Sequence, residues 1–290
     1  MVNETMSQLQ YLTCGVQQGT VLGPLLFLIY FNDICNATKR GKIRLFADDS
    51  NVFIVAQDIN ILFKTANEVL VDINDWFICN KLTVNFDKTN YMIFKPTKVM
   101  NEYIQAMNLS LNISGHKLNR VTTTKYLGII IDDKLNWSCH VDNLITKINS
   151  LNGILYRRKY VIPKQCRRNI YFALAYSSIV YGIEIYGNTT MAILKPLITK
   201  CNNLLRTLQD KSRRCDTYNL YSEYNTLPIN LLYKLFILKL MHTYTFDRSS
   251  LPTAIRDMFL TNHDVHSHNT RLRHAPHIMS AFSSSSVSTY

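Results

Sequence analysis

Residues 43–55 read IRLFADDSNVFIV: two short β-prone runs, 43–46 and 51–55, flank Ala47, Asp48, Asp49 and Ser50. Branched and aromatic residues on both sides of a polar quartet predict a hairpin with the two aspartates at its turn. Adjacent carboxylates at one fixed turn suit a hard divalent cation, because Mg2+ prefers oxygen ligands and takes few of them from protein. Asp-Asp-Ser is also ordinary turn chemistry, so the quartet alone leaves both readings open.

Working outward, Thr20 is placed to cap a helix reaching Ala37, with Pro24 tolerated in its first turn. Apolar residues surround most of that helix, which predicts burial. On the other side of the hairpin, Ile59, Leu62, Phe63, Ala66, Val69, Leu70, Ile73 and Trp76 recur at helical spacing behind Asp58, a candidate cap. Residues 82–86, 91–94, 109–113 and 126–131 then read as strands. From Trp137 on, Val141, Leu144, Ile145, Ile148, Leu151 and Leu155 keep helical spacing, and further helices are predicted over 164–185, 191–209 and 229–244. The expected fold class is α+β, divided into a mixed part at 1–136, a helical domain at 137–215 and a helical extension at 216–290. The serine-rich end of that extension, 283–290, reads as disordered.

With 290 residues, 47% apolar and 18% charged, the chain has a globular composition and the length of about two domains. Its longest apolar run, 21–31, holds 11 residues, against the roughly 20 that a membrane span needs. Residues 1–10 show no secretory pattern, so a cytoplasmic or nuclear protein, not a secreted one, is expected. The seven scattered cysteines form none of the close pairs that zinc or redox sites use and are read as reduced, mostly core thiols. The net charge of +12 is concentrated: residues 151–215 carry twelve Lys and Arg against two acids, hence +10. Tyrosines 156, 160, 171, 176, 181 and 186 are interleaved with these cations, a pattern that fits nucleic acid as well as a solvated helical face with core tyrosines.

The order of the segments is more specific than any one of them. Gly15-Val16-Gln17-Gln18-Gly19-Thr20 leads into the apolar helix; Phe46-Ala47-Asp48-Asp49 follows, then Asn80-Lys81-Leu82-Thr83-Val84-Asn85-Phe86-Asp87-Lys88-Thr89, then Tyr126-Leu127-Gly128-Ile129. This series resembles the reverse transcriptase of non-LTR retrotransposons, particularly the jockey-like group. The resemblance implies a partial right-hand polymerase palm, an antiparallel sheet with packed helices, followed by an all-helical thumb-like domain. It further implies an RNA template, a DNA primer and deoxynucleoside triphosphates as partners and Mg2+ as cofactor; no membrane is expected from the short apolar runs, and no protein partner is identifiable. Asp48 and Asp49 become metal ligands, Gln18 and Gly19 nucleotide- or template-contacting, Lys88 a catalytic cation near the leaving pyrophosphate, and Tyr126, Leu127 and Gly128 a primer grip. Arg157, Arg158, Arg167 and Arg168 become contacts to the nucleic-acid backbone.

Two departures stand out. Gln17 occupies the family's usual proline position, which removes a φ constraint, and Thr20 its usual serine, which keeps a capping hydroxyl. The family's upstream aspartate has no counterpart on a visible strand, because Glu4 is the only acid before Gly15. A truncated element copy or clipped gene, inactive as an isolated chain, is therefore expected, and a catalytically dead nucleic-acid-binding module is the alternative.

Overall fold

The computed structural model describes residue 15, residues 19–261 and residues 276–277, and it divides between Thr122 and Thr123 into two compact units. Gln17, Gln18 and the serine-rich end lie outside the described residues. The composition change read near residue 137 falls downstream of this division, so the last hairpin before it packs with the helical unit.

The first unit runs through α1 (Gly23–Phe31), a 3-10 helix (Asn32–Asn36), β1 (Lys42–Phe46), β2 (Asp49–Phe53) and α2 (Ile59–Cys79). It continues through β3 (Asn90–Tyr91), α3 (Lys98–Ala106), β4 (Asn112–Ile113), β5 (His116–Lys117) and β6 (Asn119–Arg120). α2 is its spine. The Asp58 carboxylate accepts from the amides of Asn60 and Ile61 at 2.7 and 3.2 Å, satisfying two donors that a helix start leaves free. Phe63 and Ala66 face one apolar cluster, with Ile104 and Ile113; Val69 and Ile73, a turn further on, face another, with Phe31, Ile34 and Ile43.

Expectation and structure part company in several places here. The antiparallel sheet is not formed: among the described residues every sheet has two strands, and β3 pairs with β6 in parallel. Residues 82–86 are not a strand, because the Leu82 amide bonds Phe77 O to close α2, and the Asn85 side chain then turns the chain by accepting from Lys88 N. Of 109–113 only Asn112 and Ile113 are paired as strand. Asn67 on α2 stands in for a neighbouring strand, its Oδ1 accepting from Asn112 N at 2.9 Å and its Nδ2 donating to Ser110 O at 3.1 Å. The predicted burial of the first helix also fails. α1 ends at Phe31, and although Thr20 Oγ1 accepts from Gly23 N, Leu25, Leu26, Leu28 and Ile29 are all about half exposed or more. α3 was not read from the sequence; its signal is Thr97, whose hydroxyl accepts from Met100 N.

The second unit comprises β7 (Thr123–Tyr126), β8 (Ile129–Asp132), α4 (Ser138–Arg158), α5 (Lys164–Ile170), a π-helical turn (Tyr171–Tyr176), α6 (Ser177–Val180) and α7 (Ile183–Tyr186). α8 (Met191–Gln209), α9 (Thr217–Tyr224), α10 (Ile229–Phe246), α11 (Thr253–Arg256), β9 (Leu260–Thr261) and β10 (Pro276–His277) complete it. The long helices lie where periodicity puts them. Val141, Leu144, Ile148 and Leu155 of α4 pack with Leu197, Leu204 and Leu208 of α8 in one core, each such side chain contributing roughly 1.5–3 kcal/mol on burial. The helix predicted over 164–185 is broken at Gly182, where φ is +68° and an added Cβ would lie 2.3 Å from Ile129 Cδ1. α9 was missed, since its buried face is Leu220, Tyr221 and Tyr224 and two of those three carry hydroxyls.

Most described cysteines are not core thiols: Cys35, Cys79, Cys139 and Cys166 are exposed and Cys201 is buried, its thiol pushed up to about 12 by burial. None of the described helices is long and apolar enough to cross a membrane.

Asp132, 5% exposed, ties the hairpin to α4. Its carboxylate accepts from the amides of Lys134 and Asn136 at 3.1 Å and of Trp137 at 2.8 Å, through a loop in which Leu135 and Trp137 adopt positive φ. His140, one turn into α4, is buried; its Nδ1 accepts from Ile130 N at 3.3 Å and its Nε2 has no partner among the described residues. Burial, aided by the Lys147 charge, lowers its pKa below the usual 6.5. The unfolded chain therefore takes up a proton before the folded one does, so this contribution to stability is complete above pH 6.5 and is lost as pH falls below it. The thermal midpoint is expected to drop on acidification through that range, and His140→Gln is expected to flatten the dependence. Equal slopes for the two proteins would show that His140 is not its source.

Candidate nucleotidyl-transfer site

The aspartate pair sits where the sequence places it. β1 and β2 pair antiparallel in the register Phe46↔Asp49 and Ile43↔Val52, leaving Ala47 and Asp48 as a two-residue turn. Ala47 has φ +53°, in the left-handed region that such turns normally reserve for glycine at the first central position. Alternation puts Asp49 on the outer face with Phe46 and Asn51, while Ile43 points inward against Ile34. Asp48, Asp49 and Phe46 are exposed, so the carboxylates project from the end of a hairpin whose stem is anchored in the core.

The other predicted residues are distributed around the chain. Gly19 has φ +84°, where a side chain would be strained, and stands just before the capped start of α1; Gln18 is outside the described residues. Lys88 is exposed at the turn begun by Asn85, and its ammonium makes no ion pair among the described residues. Asp48, Asp49, Gly19 and Lys88 thus belong to the first unit, and Tyr126, Leu127 and Gly128 to the second.

Tyr126-Leu127-Gly128 is not the buried strand expected of it. Tyr126 pairs with Ile129, and Leu127 and Gly128, both with positive φ, form the tight turn between β7 and β8. Two consecutive left-handed residues match the right-handed twist of the flanking strands, so the apolar spelling hides a turn. Tyr181 fastens it: the phenol donates to Leu127 O at 2.6 Å, and a Cβ on Gly128 would lie 3.1 Å from the same ring.

The four arginines divide. Arg157 and Arg158 are exposed at the end of α4. Arg167 is 5% exposed and engaged, with Nε donating to Ile162 O at 2.8 Å and Nη1 to Leu208 O at 3.3 Å and Asp210 Oδ2 at 2.7 Å. Its bond holds the Asp210 carboxyl below the usual carboxylate range, with help from Lys159 at 3.4 Å. Arg167 is therefore a buried brace between α5 and the end of α8 rather than a phosphate contact. Arg168 is exposed but engaged, lying over the Phe172 ring at 4.8 Å and donating to Tyr224 O at 3.2 Å. The sequence shows two Arg-Arg pairs; only the tertiary position of Asp210 separates them.

Residues 1–131 match the reverse transcriptase (RNA-dependent DNA polymerase) family, and the exposed Asp48-Asp49 turn lies inside that stretch. This part of the chain is similar to reverse transcriptase sequence. Over 219 residues, 72% of the chain, it is 26% identical to the RNA-directed DNA polymerase from mobile element jockey of Drosophila melanogaster. The jockey polymerase of Drosophila funebris is 26% identical over 220 residues, and the probable RNA-directed DNA polymerase from transposon BS of Drosophila melanogaster 25% over 230. These alignments are longer than the matched family segment, so the likeness to retrotransposon polymerases extends beyond residue 131. The chain spans between 22% and 24% of the length of these curated relatives.

Within this reverse transcriptase relative, Arg167→Ala is expected to lower unfolding free energy by about 3 kcal/mol, since it strands a partly buried carboxylate and two carbonyls. Arg157→Ala, on the surface, is expected to stay within about 0.5 kcal/mol of the parent. Urea unfolding of both variants checks the division; equal effects would return Arg167 to the surface group.

Proposed function

We propose that this chain contributes the catalytic hairpin and the primer-side helices of an RNA-directed DNA polymerase, joining a primer 3′-hydroxyl to the α-phosphate of an incoming deoxynucleotide. The observation that carries this reading is the exposed Asp48-Asp49 pair, one in the two-residue turn and one at the start of β2, inside the stretch that matches the reverse transcriptase family. In the palm-and-thumb reading, the first unit supplies the hairpin and α1, and the helices after residue 136 form the thumb.

The donor set fits a hard cation. Two exposed carboxylates are as many protein ligands as Mg2+ usually takes, with water and substrate phosphates completing the shell. Asp48 and Asp49 would hold it, Asp48 as principal ligand; when bound, the ion neutralises phosphate charge and eases loss of the primer hydroxyl proton. Gly19, with no side chain at positive φ, keeps the backbone before α1 open to a nucleotide or template, with Gln18 beside it in sequence. Lys88, exposed and unpaired among the described residues, is free to donate to the leaving pyrophosphate. Tyr126, Leu127 and Gly128 present a rigid turn to the primer end, held by Tyr181.

A two-ion clamp asks for more carboxylate than one turn provides, and among the described residues no group of three or more His, Cys, Asp or Glu gathers. The 290-residue chain alone is therefore read as lacking primer extension. The basic helical unit supports a second reading, a nucleic-acid-binding module, because Arg157 and Arg158 are exposed on its surface.

The decisive experiment puts residues 1–131 in place of the aligned segment in the jockey polymerase. Primer extension on an RNA template is expected to survive the exchange and to fall to background with Asp48→Ala, while the isolated chain with Mg2+ stays at background. Extension insensitive to Asp48→Ala would remove the hairpin from catalysis.

A further inference from the structure

Two turns of the second unit face each other, and each carries a glycine against which the other presses a side chain. In the β7–β8 turn Gly128 has φ +84°, and a Cβ there would lie 3.1 Å from the Tyr181 ring. In the break between α6 and α7 Gly182 has φ +68°, and a Cβ there would lie 2.3 Å from Ile129 Cδ1. The neighbours Tyr181 and Gly182 therefore interlock with the neighbours Gly128 and Ile129. The Tyr181 phenol closes the arrangement by donating to Leu127 O at 2.6 Å, and its amide donates to Ser177 O at 3.2 Å. The ring is thus held at both ends, by its own backbone and by its hydroxyl.

Fastening a turn uses the hydroxyl and leaves the ring to be accounted for. Of the six tyrosines interleaved with the basic segment, Tyr171 and Tyr186 are core, Tyr176 packs on Phe172, and Lys159 lies over the rings of Tyr156 and Tyr160. Tyr181 is different. It is 55% exposed, and among the described residues no aromatic ring and no cation stacks on it. Gly128 beside it is exposed and offers only backbone, so a flat group can approach ring and turn together. An aromatic ring that is already immobilised loses little freedom on binding, and the flat partner that suits it is a nucleobase.

We propose that Tyr181 is a substrate-contacting residue whose ring stacks on the base of the primer's terminal nucleotide. This rests on the reading of Tyr126, Leu127 and Gly128 as a primer grip, and adds a residue that the motif does not contain. The contact is tolerant of sequence, because every base has a flat face. It fixes the terminal base, and with it the sugar that carries the 3′-hydroxyl, against a turn that the same side chain holds still.

Fluorescence anisotropy of the full 290-residue chain with a short, labelled duplex of RNA template and DNA primer provides the test. Two duplexes are compared, one with an intact primer 3′ end and one whose terminal primer nucleotide is abasic. The parent is expected to bind the abasic end about tenfold more weakly, the effect of one lost stack. Both duplexes are expected to show the same salt slope, because no phosphate contact changes. Tyr181→Phe keeps the ring without the hydrogen bond and is expected to retain the tenfold difference. Tyr181→Leu loses both and is expected to bind the two ends alike. Equal penalties in the two variants overturn the proposal, since a phenol that only holds the turn is lost in both. So does a parent that binds the two ends equally, a result that depends on no variant and leaves the primer-side reading standing. An equal penalty with the abasic nucleotide at the primer's 5′ end overturns the placement. No binding of either duplex removes the primer-side reading together with the proposal.

Discussion

The Asp132 carboxylate collects three backbone amides in five residues, and the helical unit is built outward from that arrangement. Two left-handed residues in the intervening loop would be costly without it, since neither leucine nor tryptophan favours that region. With the loop fixed, α4 leaves β8 in one direction and lays its apolar face on α8. The end of α8 then brings Asp210 to Arg167 and Lys159. One buried acid thus sets a helix direction and, through it, the place of an ion pair.

Much of this was legible in the residues. Strong periodicity located α2, α4, α8 and α10, and the IRLFADDSNVFIV stretch gave both the hairpin and the exposed position of Asp48 and Asp49. The strands were misread wherever a side chain replaced a strand partner. Asn67 satisfies the backbone at Ser110 and Asn112 from a helix, and Asn85 curls what looked like an extended run; neither contact has a periodic signature. Leu127 was misread for a different reason, because a left-handed leucine is rare and its apolar character argues for a strand.

The site was readable by motif and not by environment. Charge counting found the basic segment, but a sequence cannot tell an arginine that meets solvent from one that braces a helix end, and Arg157 and Arg167 look alike until Asp210 is placed.

The helix that follows Gly19 shows what happens when a segment has no polar stripe. An amphipathic helix is oriented about its own axis by the difference between its faces, and turning it costs buried area. α1 has no such difference, so its orientation about that axis rests on its C-terminal end, where Phe31 stacks on Phe27 and meets Trp76, and where the Tyr30 phenol donates to Asn80 O. Its rotational setting is decided by two aromatic side chains at one end, while the leucines along the rest of its length are interchangeable as contact surface.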